Sequence, residues 1–262
     1  MIPEIDIGPL TLQTFGICFA FAFVCSGALA YKRLKELGKP TDWAFEMVFG
    51  ALIGGVVGAR VDWVLQNWSD VEGDVLGNLL GGTGLVFFGG LVGGAIGVCI
   101  VAWYRGMLNL DLLDLAAPAI AIGYAVGRIG CQLSGDGDYG IPWDGPWAMA
   151  YPDGTVATDV PVHPTPVYET LAMGLATYVL WRLRGRLWPG LLLALYLVLA
   201  GLERFLVEFI RRNDEVVLGL TQAQLISLAM FIGGIVWLWV VAARRGGLLR
   251  DGATLPAAAA PR

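Results

Sequence analysis

The residues best suited to chemistry lie between Gly127 and Gly140, which read GRIGCQLSGDGDYG. An arginine, Arg128, heads this stretch directly after the apolar run Leu115 to Val126. A guanidinium at the end of a membrane-spanning run is costly unless it faces protein, water or an anion. The glycines at 127, 130, 135, 137 and 140 allow backbone to approach a ligand and to expose N–H groups to an anion. Taken alone, Arg128 reads as a helix end with a side chain snorkelling to the interface. It is not alone. Arg60, Arg204, Arg211 and Arg212 also lie within apolar runs or at their ends. Arg204 and Glu208 are four apart, with Arg211 a turn further, so one helical face carries all three. An internal ion pair that fixes helix packing accounts for Arg204 and Glu208 by themselves about as well as a site does. Arginines on three separate runs point instead to forked contacts with phosphate, as in an anionic lipid headgroup held inside a bundle. The only histidine, His163, precedes Tyr168 and Glu169. A lone exposed histidine is usually inert, whereas a carboxylate inside a membrane wants an arginine partner.

The elements that must position these residues are membrane spans. The chain of 262 residues is 56% hydrophobic and 15% charged, against about 25% charged in soluble domains. Its mean hydropathy is +0.67. Spans of roughly 20 residues are expected at 10–30, 43–65, 85–103, 112–126, 165–183, 189–210 and 220–241. The fourth is short and has room to continue into the Gly127 stretch, although that stretch reads mainly as a membrane loop. A polar segment over 127–164 follows it, with Pro142-Trp143 and Pro146-Trp147 suited to the interface. The third span is preceded by Gly81, Gly82 and Gly84 and carries Gly89, Gly90, Gly93, Gly94 and Gly97, mostly a small-residue packing face. The fold class is therefore an all-α integral membrane protein, one domain over 1–242, with a disordered Ala/Pro-rich tail at 243–262.

Charge sets the orientation. The stretches Tyr31–Asp42, Tyr104–Asp111 and Arg182–Trp188, with the tail from Ala242, hold twelve of the 17 Lys and Arg residues. The loops on the other side are acidic, with Asp70, Glu72 and Asp74 in one and Asp136, Asp138, Asp144, Asp153 and Asp159 in the other. The positive-inside rule places the N-terminus outside and the C-terminus in the cytoplasm. The start MIPEIDIGPL lacks the basic region of a cleavable signal peptide. Cys18, Cys25, Cys99 and Cys131 show neither metal spacing nor a disulfide framework. No P-loop or dinucleotide fingerprint occurs, and nucleic acid finds no basic surface.

Five segments in order resemble the prolipoprotein diacylglyceryl transferase family. They are GALIGGVVGAR (50–60), FFGGLVGG (87–94), GRIGCQLSGDGDYG (127–140), VHPTPVYE (162–169), and GLERFLVEFIRRND (201–214) followed by LTQAQLISLAM (220–230). The family counterparts include GRxGNFxNGExxG, HPxQLYE and RFxxEFxR. The resemblance implies an enzyme of the bacterial cytoplasmic membrane with its active site toward the outer face. It would transfer the diacylglyceryl group of phosphatidylglycerol to the lipobox cysteine of preprolipoproteins, without a cofactor or a metal. By the same resemblance Arg128 and Arg204 hold the phosphate, Arg60 and Glu208 order them, and Gly89, Gly90, Asp136, Tyr168 and Glu169 complete the substrate site. The chain departs from the pattern at Phe88, where the family has a histidine often assigned as base. It departs also at Phe15, Cys131 and Ser134 and in the Asp136-Gly137-Asp138 spacing. His163 becomes the default base, with Asp136, Asp138 or Glu208 behind it. Two other classes compete. One is a family-like protein that binds anionic lipid or lipoprotein precursors without transfer. The other is a transporter, disfavoured because no pair of interrupted spans occurs in corresponding halves.

Overall fold

A computed structural model describes residues 1–71, 73, 77 and 86–250. The long helices among them are α1 (Thr14–Glu36), α2 (Trp43–Gln66), α3 (Phe87–Tyr104), α4 (Leu110–Ser134), α5 (Thr165–Leu183), α6 (Leu191–Glu208) and α7 (Gln222–Arg245). One further turn of helix covers Trp68–Val71. Three antiparallel hairpins accompany them: β1 (Glu4–Ile7) with β2 (Leu10–Gln13), β3 (Met149–Tyr151) with β4 (Thr158–Val162), and β5 (Glu215–Val217) with β6 (Leu220–Thr221).

Four helices, α1, α2, α4 and α7, are long and apolar enough to cross a membrane. Large apolar side chains such as Phe21, Phe49, Ile53, Leu171 and Trp239 point away from the protein. Water would penalise that arrangement at about 25 cal/mol per Å2, whereas lipid does not. Helices satisfy their own backbone groups, which makes them the natural way to carry such surfaces through hydrocarbon.

Several boundaries differ from the sequence expectation. The run from Leu10 starts as strand β2, and helix begins only at Thr14. The more consequential change is α4, which continues without a break from Val126 through Gly127 to Ser134. The first half of the glycine-rich stretch is thus helix rather than loop. Gly130 supplies a reason: a Cβ there would stand 2.9 Å from the Cys18 Cβ of α1. Glycine in a membrane helix often marks close packing, not a turn. At the far end α7 runs to Arg245. Gly81, Gly82, Gly84, Leu85, Glu72, Asp74 and residues 251–262 of the expected tail lie outside the described residues.

The chain forms two compact units, residues 27–112 and residues 1–26 with 113–262. In the first, α2 and α3 pack backbone to backbone. A Cβ on Gly58 would lie 2.8 Å from the Gly93 Cα, and one on Gly50 would lie 2.9 Å from the Gly97 carbonyl oxygen. Only hydrogen fits at these positions, so the glycine stripes are packing faces. Asp62 of α2 accepts the Gly89 N–H at the start of α3, 2.9 Å away. At the opposite end Arg105 forks onto Glu46, with Nε 2.7 Å from Oε2.

In the second unit an alanine stripe on α4 (Ala117, Ala121, Ala125) joins Met173, Ala176 and Leu180 of α5 in one buried cluster with the start of α6. Small residues at i, i+4 let helices approach closely. Helix α7 reaches α6 at Gly201 and Gly234, whose added Cβ atoms would stand 2.6 Å from the Ser227 oxygen and 2.7 Å from the Ala194 oxygen. Buried Asp114 of α4 accepts the N–H groups of Gly190 and Leu192, each at 3.0 Å. It thereby satisfies donors that the first turn of α6 would leave orphaned.

Candidate functional site

The end of α4 supplies the first half of the site. Tyr124 and Arg128, four residues apart, share one face, and the guanidinium lies over the phenol ring at 5.1 Å. Helix α4 ends when Gly135 adopts φ +61°, with its N–H on the Cys131 carbonyl at 3.0 Å. The turn at Gly137, φ +94°, brings Asp138 back onto Arg128. Both torsions favour glycine. Thr165, the first residue of α5, donates its hydroxyl to the Asp138 carbonyl at 2.6 Å. One turn further along α5 stands Glu169, fully buried.

Glu169 is the hub. Its carboxylate accepts the Tyr124 hydroxyl at 3.1 Å and pairs with Nε of Arg128. It also receives Arg204 at 3.2 Å and Arg211 at 3.3 Å. Arg204 forks onward to Glu208 at 2.9 Å, one turn along α6. Arg211, just past α6, donates to Asp138 Oδ1 at 2.5 Å and to the Asp138 carbonyl at 3.1 Å. Glu208 is held from the start of α7 by the Thr221 hydroxyl at 2.9 Å, and by the Asn213 amide at 2.6 Å. Thr221 caps α7 in a box with Gln224. Three arginines thus share three carboxylates, and the cluster is formally neutral. Buried charges demand such pairing. Side-chain exposure then ranks the guanidiniums as donors to a ligand: Arg204 23%, Arg128 15% and Arg211 8%, against none for Glu169 or Glu208. Arg204 is the most open of the three. Burial raises the Asp138 carboxyl, but Arg128 and Arg211 outweigh it and hold the group below its ordinary range.

The other expected residues fall into separate groups. His163 lies against Trp143 and Tyr168, whose hydroxyl also receives the Trp147 indole, and among the described residues its hydrogen bonding does not reach the arginines. Asp136 spends one oxygen on the Asp138 N–H at 3.2 Å. Arg60, buried on α2 over the Trp63 ring, and Gly89 and Gly90, at the start of α3, belong to the unit of residues 27–112. Phe88 points outward there, half exposed. Among the described residues Cys131, Asp136 and Asp138 hold possible ligand atoms within 4.8 Å of one another. Two guanidiniums already occupy Asp138, an arrangement that repels a cation. Tyr124, Asn213 and Thr221 are participants that the sequence reading did not name. Tyr124 had a signal in its i, i+4 spacing to Arg128, and Thr221 in the T-x-x-Q pattern of a capping box. Asn213 had none.

Apolar helices long enough to cross a membrane, together with a buried ionic cluster, define an integral membrane protein. The sequence description of prolipoprotein diacylglyceryl transferase matches residues 4–240. A phosphatidylglycerol–prolipoprotein diacylglyceryl transferase of Methylococcus capsulatus is 34% identical over 255 residues, covering 92% of this chain and 95% of its own. The enzyme of that name from Bordetella avium is 33% identical over 254 residues, covering 91% and 93%. A second such transferase of Clostridium perfringens is 28% identical over 239 residues, covering 88% and 91%. The chain belongs to the prolipoprotein diacylglyceryl transferase family.

Proposed function

We propose that this protein transfers the diacylglyceryl group of phosphatidylglycerol to the lipobox cysteine thiol of preprolipoproteins in the bacterial cytoplasmic membrane. The observation that carries the reading is the convergence of Arg128, Arg204 and Arg211 on Glu169, with Arg204 left the most open. The cysteine sulfur attacks the glyceryl carbon that bears the phosphate. A C–S bond forms, the C–O bond breaks, and the oxygen departs with glycerol phosphate. Negative charge builds on the leaving phosphate, where Arg204 and Arg128 meet it with fixed donors. A thiol of ordinary pKa, about 8.5, ionises beside guanidiniums by giving its proton to water, and the thiolate is the attacking form. In this reading the seven long helices span the bilayer with the N-terminus outside and the arginine cluster toward the outer face. The basic stretches Tyr31–Asp42, Tyr104–Asp111 and Arg182–Trp188 support that orientation.

The test is transfer itself, with purified protein, phosphatidylglycerol and a lipobox peptide, following glycerol phosphate release. Release by the parent and its loss in Arg128→Ala support the reading. No release under conditions where the Methylococcus capsulatus relative is active would replace it with lipid or precursor binding.

A further inference from the structure

The surroundings of His163 assign its protons. Its ring lies flat on Trp143, with centroids 4.3 Å apart and planes within 12°. Its Nδ1 is 3.3 Å from the Tyr168 hydroxyl oxygen, which also receives the Trp147 indole N–H at 2.8 Å. An indole N–H only donates, so the phenol oxygen is the acceptor in that bond. The phenol proton then needs an acceptor, and among the described residues His163 Nδ1 is the partner in reach. A nitrogen that accepts carries no proton, so the neutral ring holds its proton on Nε2. The reverse tautomer would set two donors on one phenol oxygen and leave the phenol proton without a described partner. Nε2 itself makes no hydrogen bond within the described residues and is not a buried orphan.

With Nδ1 engaged by the Tyr168 hydroxyl, a base would have to act through Nε2, and that needs the opposite arrangement, with Nδ1–H satisfied and the Nε2 lone pair free. We infer that His163 is a fixed hydrogen-bond donor, offering Nε2–H to a phosphate oxygen of the substrate lipid, and is not the base for the thiol. Its setting fits that partner. Trp147 is 59% exposed, and paired indoles suit the headgroup level of a bilayer. The His163 carbonyl accepts the Gly140 N–H at 2.8 Å, which ties the backbone at His163 to the loop that carries Asp138. Burial lowers the proton affinity of the imidazole and keeps it neutral. The identity of the lipid rests on the transferase reading, whereas the tautomer does not.

The chain has one histidine, so the full protein labelled with 15N-histidine in maltoside micelles gives a single imidazole spectrum. At neutral pH Nδ1 should appear as the unprotonated nitrogen and Nε2 as the protonated one. Tyr168→Phe, which removes the donor, should produce a mixture of tautomers. A protonated Nδ1 in the parent, or no change in Tyr168→Phe, overturns the inference. Phosphatidylglycerol added to the micelles should move the Nε2 resonance, and diacylglycerol, which lacks phosphate, should not. Movement with both, or with neither, overturns the phosphate contact. In kinetics, His163→Phe should raise the KM for phosphatidylglycerol about tenfold, the scale of one lost hydrogen bond, with kcat falling far less. His163→Gln, which keeps an N–H donor, should recover most of that KM. A kcat loss of about a hundredfold or more in both variants would return His163 to the role of base. If the parent shows no transfer, the transferase reading fails while the spectra still decide the tautomer.

Discussion

Arg204 on α6 and Glu169 on α5 meet at 3.2 Å, Nη1 to Oε1. Glu169 is wholly enclosed, while nearly a quarter of the Arg204 side chain remains accessible. The pair therefore has a structural end and an open end. The carboxylate binds helices together, and the guanidinium keeps N–H groups available for a ligand that carries negative charge.

Arg204→Ala should cost about a hundredfold or more in glycerol phosphate release, the usual scale for deleting a donor aimed at developing charge. Arg204→Lys should recover little, because an ammonium cannot fork between Glu169 and Glu208. Arg211→Ala should differ in kind. With only 8% of its side chain accessible, its loss should appear first as a lower unfolding temperature in detergent.

Glu169→Gln leaves the guanidiniums of Arg128, Arg204 and Arg211 short of a counter-charge in a buried place. Removing one member of such a set typically costs about 3 kcal/mol. Denaturation of the variant in detergent measures it. A loss near zero would show that the hub is dispensable.

Thr221 both caps α7 and donates to Glu208 at 2.9 Å. Thr221→Ala should lower stability by about 1–2 kcal/mol, and Thr221→Ser should restore most of it. Equal losses in the two would mean that the hydroxyl is not the source.

Acid should act through Asp138. Its folded carboxyl titrates below the ordinary value of 3.8 because Arg128 and Arg211 overcome the burial. A depressed carboxylate contributes fully above its unfolded value, so that stabilisation is complete above about pH 4 and is lost as pH falls through the lower folded value. Asp138→Asn should flatten that part of the stability profile. A parent and variant with the same acid limb would refute the assignment.

Gly97→Leu should separate α2 from α3, since an added Cβ runs into the Gly50 backbone, 2.7 Å from its carbonyl carbon. Overpacking of this kind costs about 1–3 kcal/mol. Gly106→Ala, with open space around it but φ +64°, should cost about 1 kcal/mol through backbone strain alone. Unfolding of both variants separates crowding from torsion.

Much of this was legible in advance where the signal is local. The i, i+4 spacing of Arg204 and Glu208 gave an ion pair, observed at 2.9 Å. The glycines at 89, 90, 93, 94 and 97 gave a packing face, and at 89, 93 and 97 the backbones do touch. The same residue type misled at Gly127 and Gly130, where richness in glycine suggested a loop and the chain is helical. At Gly130 a close neighbour, Cys18, accounts for the glycine, whereas nothing stands near Gly127. The hub was less legible still. Glu169 lies 35 residues from Arg204 and 42 from Arg211 along the chain, so nothing local announces which arginine it will meet. The sequence suggested a partner for the acid but could not reveal three.

That sharing has a consequence for inheritance. Substitutions at 128, 204 and 211 do not vary independently, because each alters the charge felt by the other two through one carboxylate. Effects measured singly should fail to add in double-mutant cycles, by about 0.5–3 kcal/mol. The three arginines and Glu169 should therefore persist, or be lost, as a single trait.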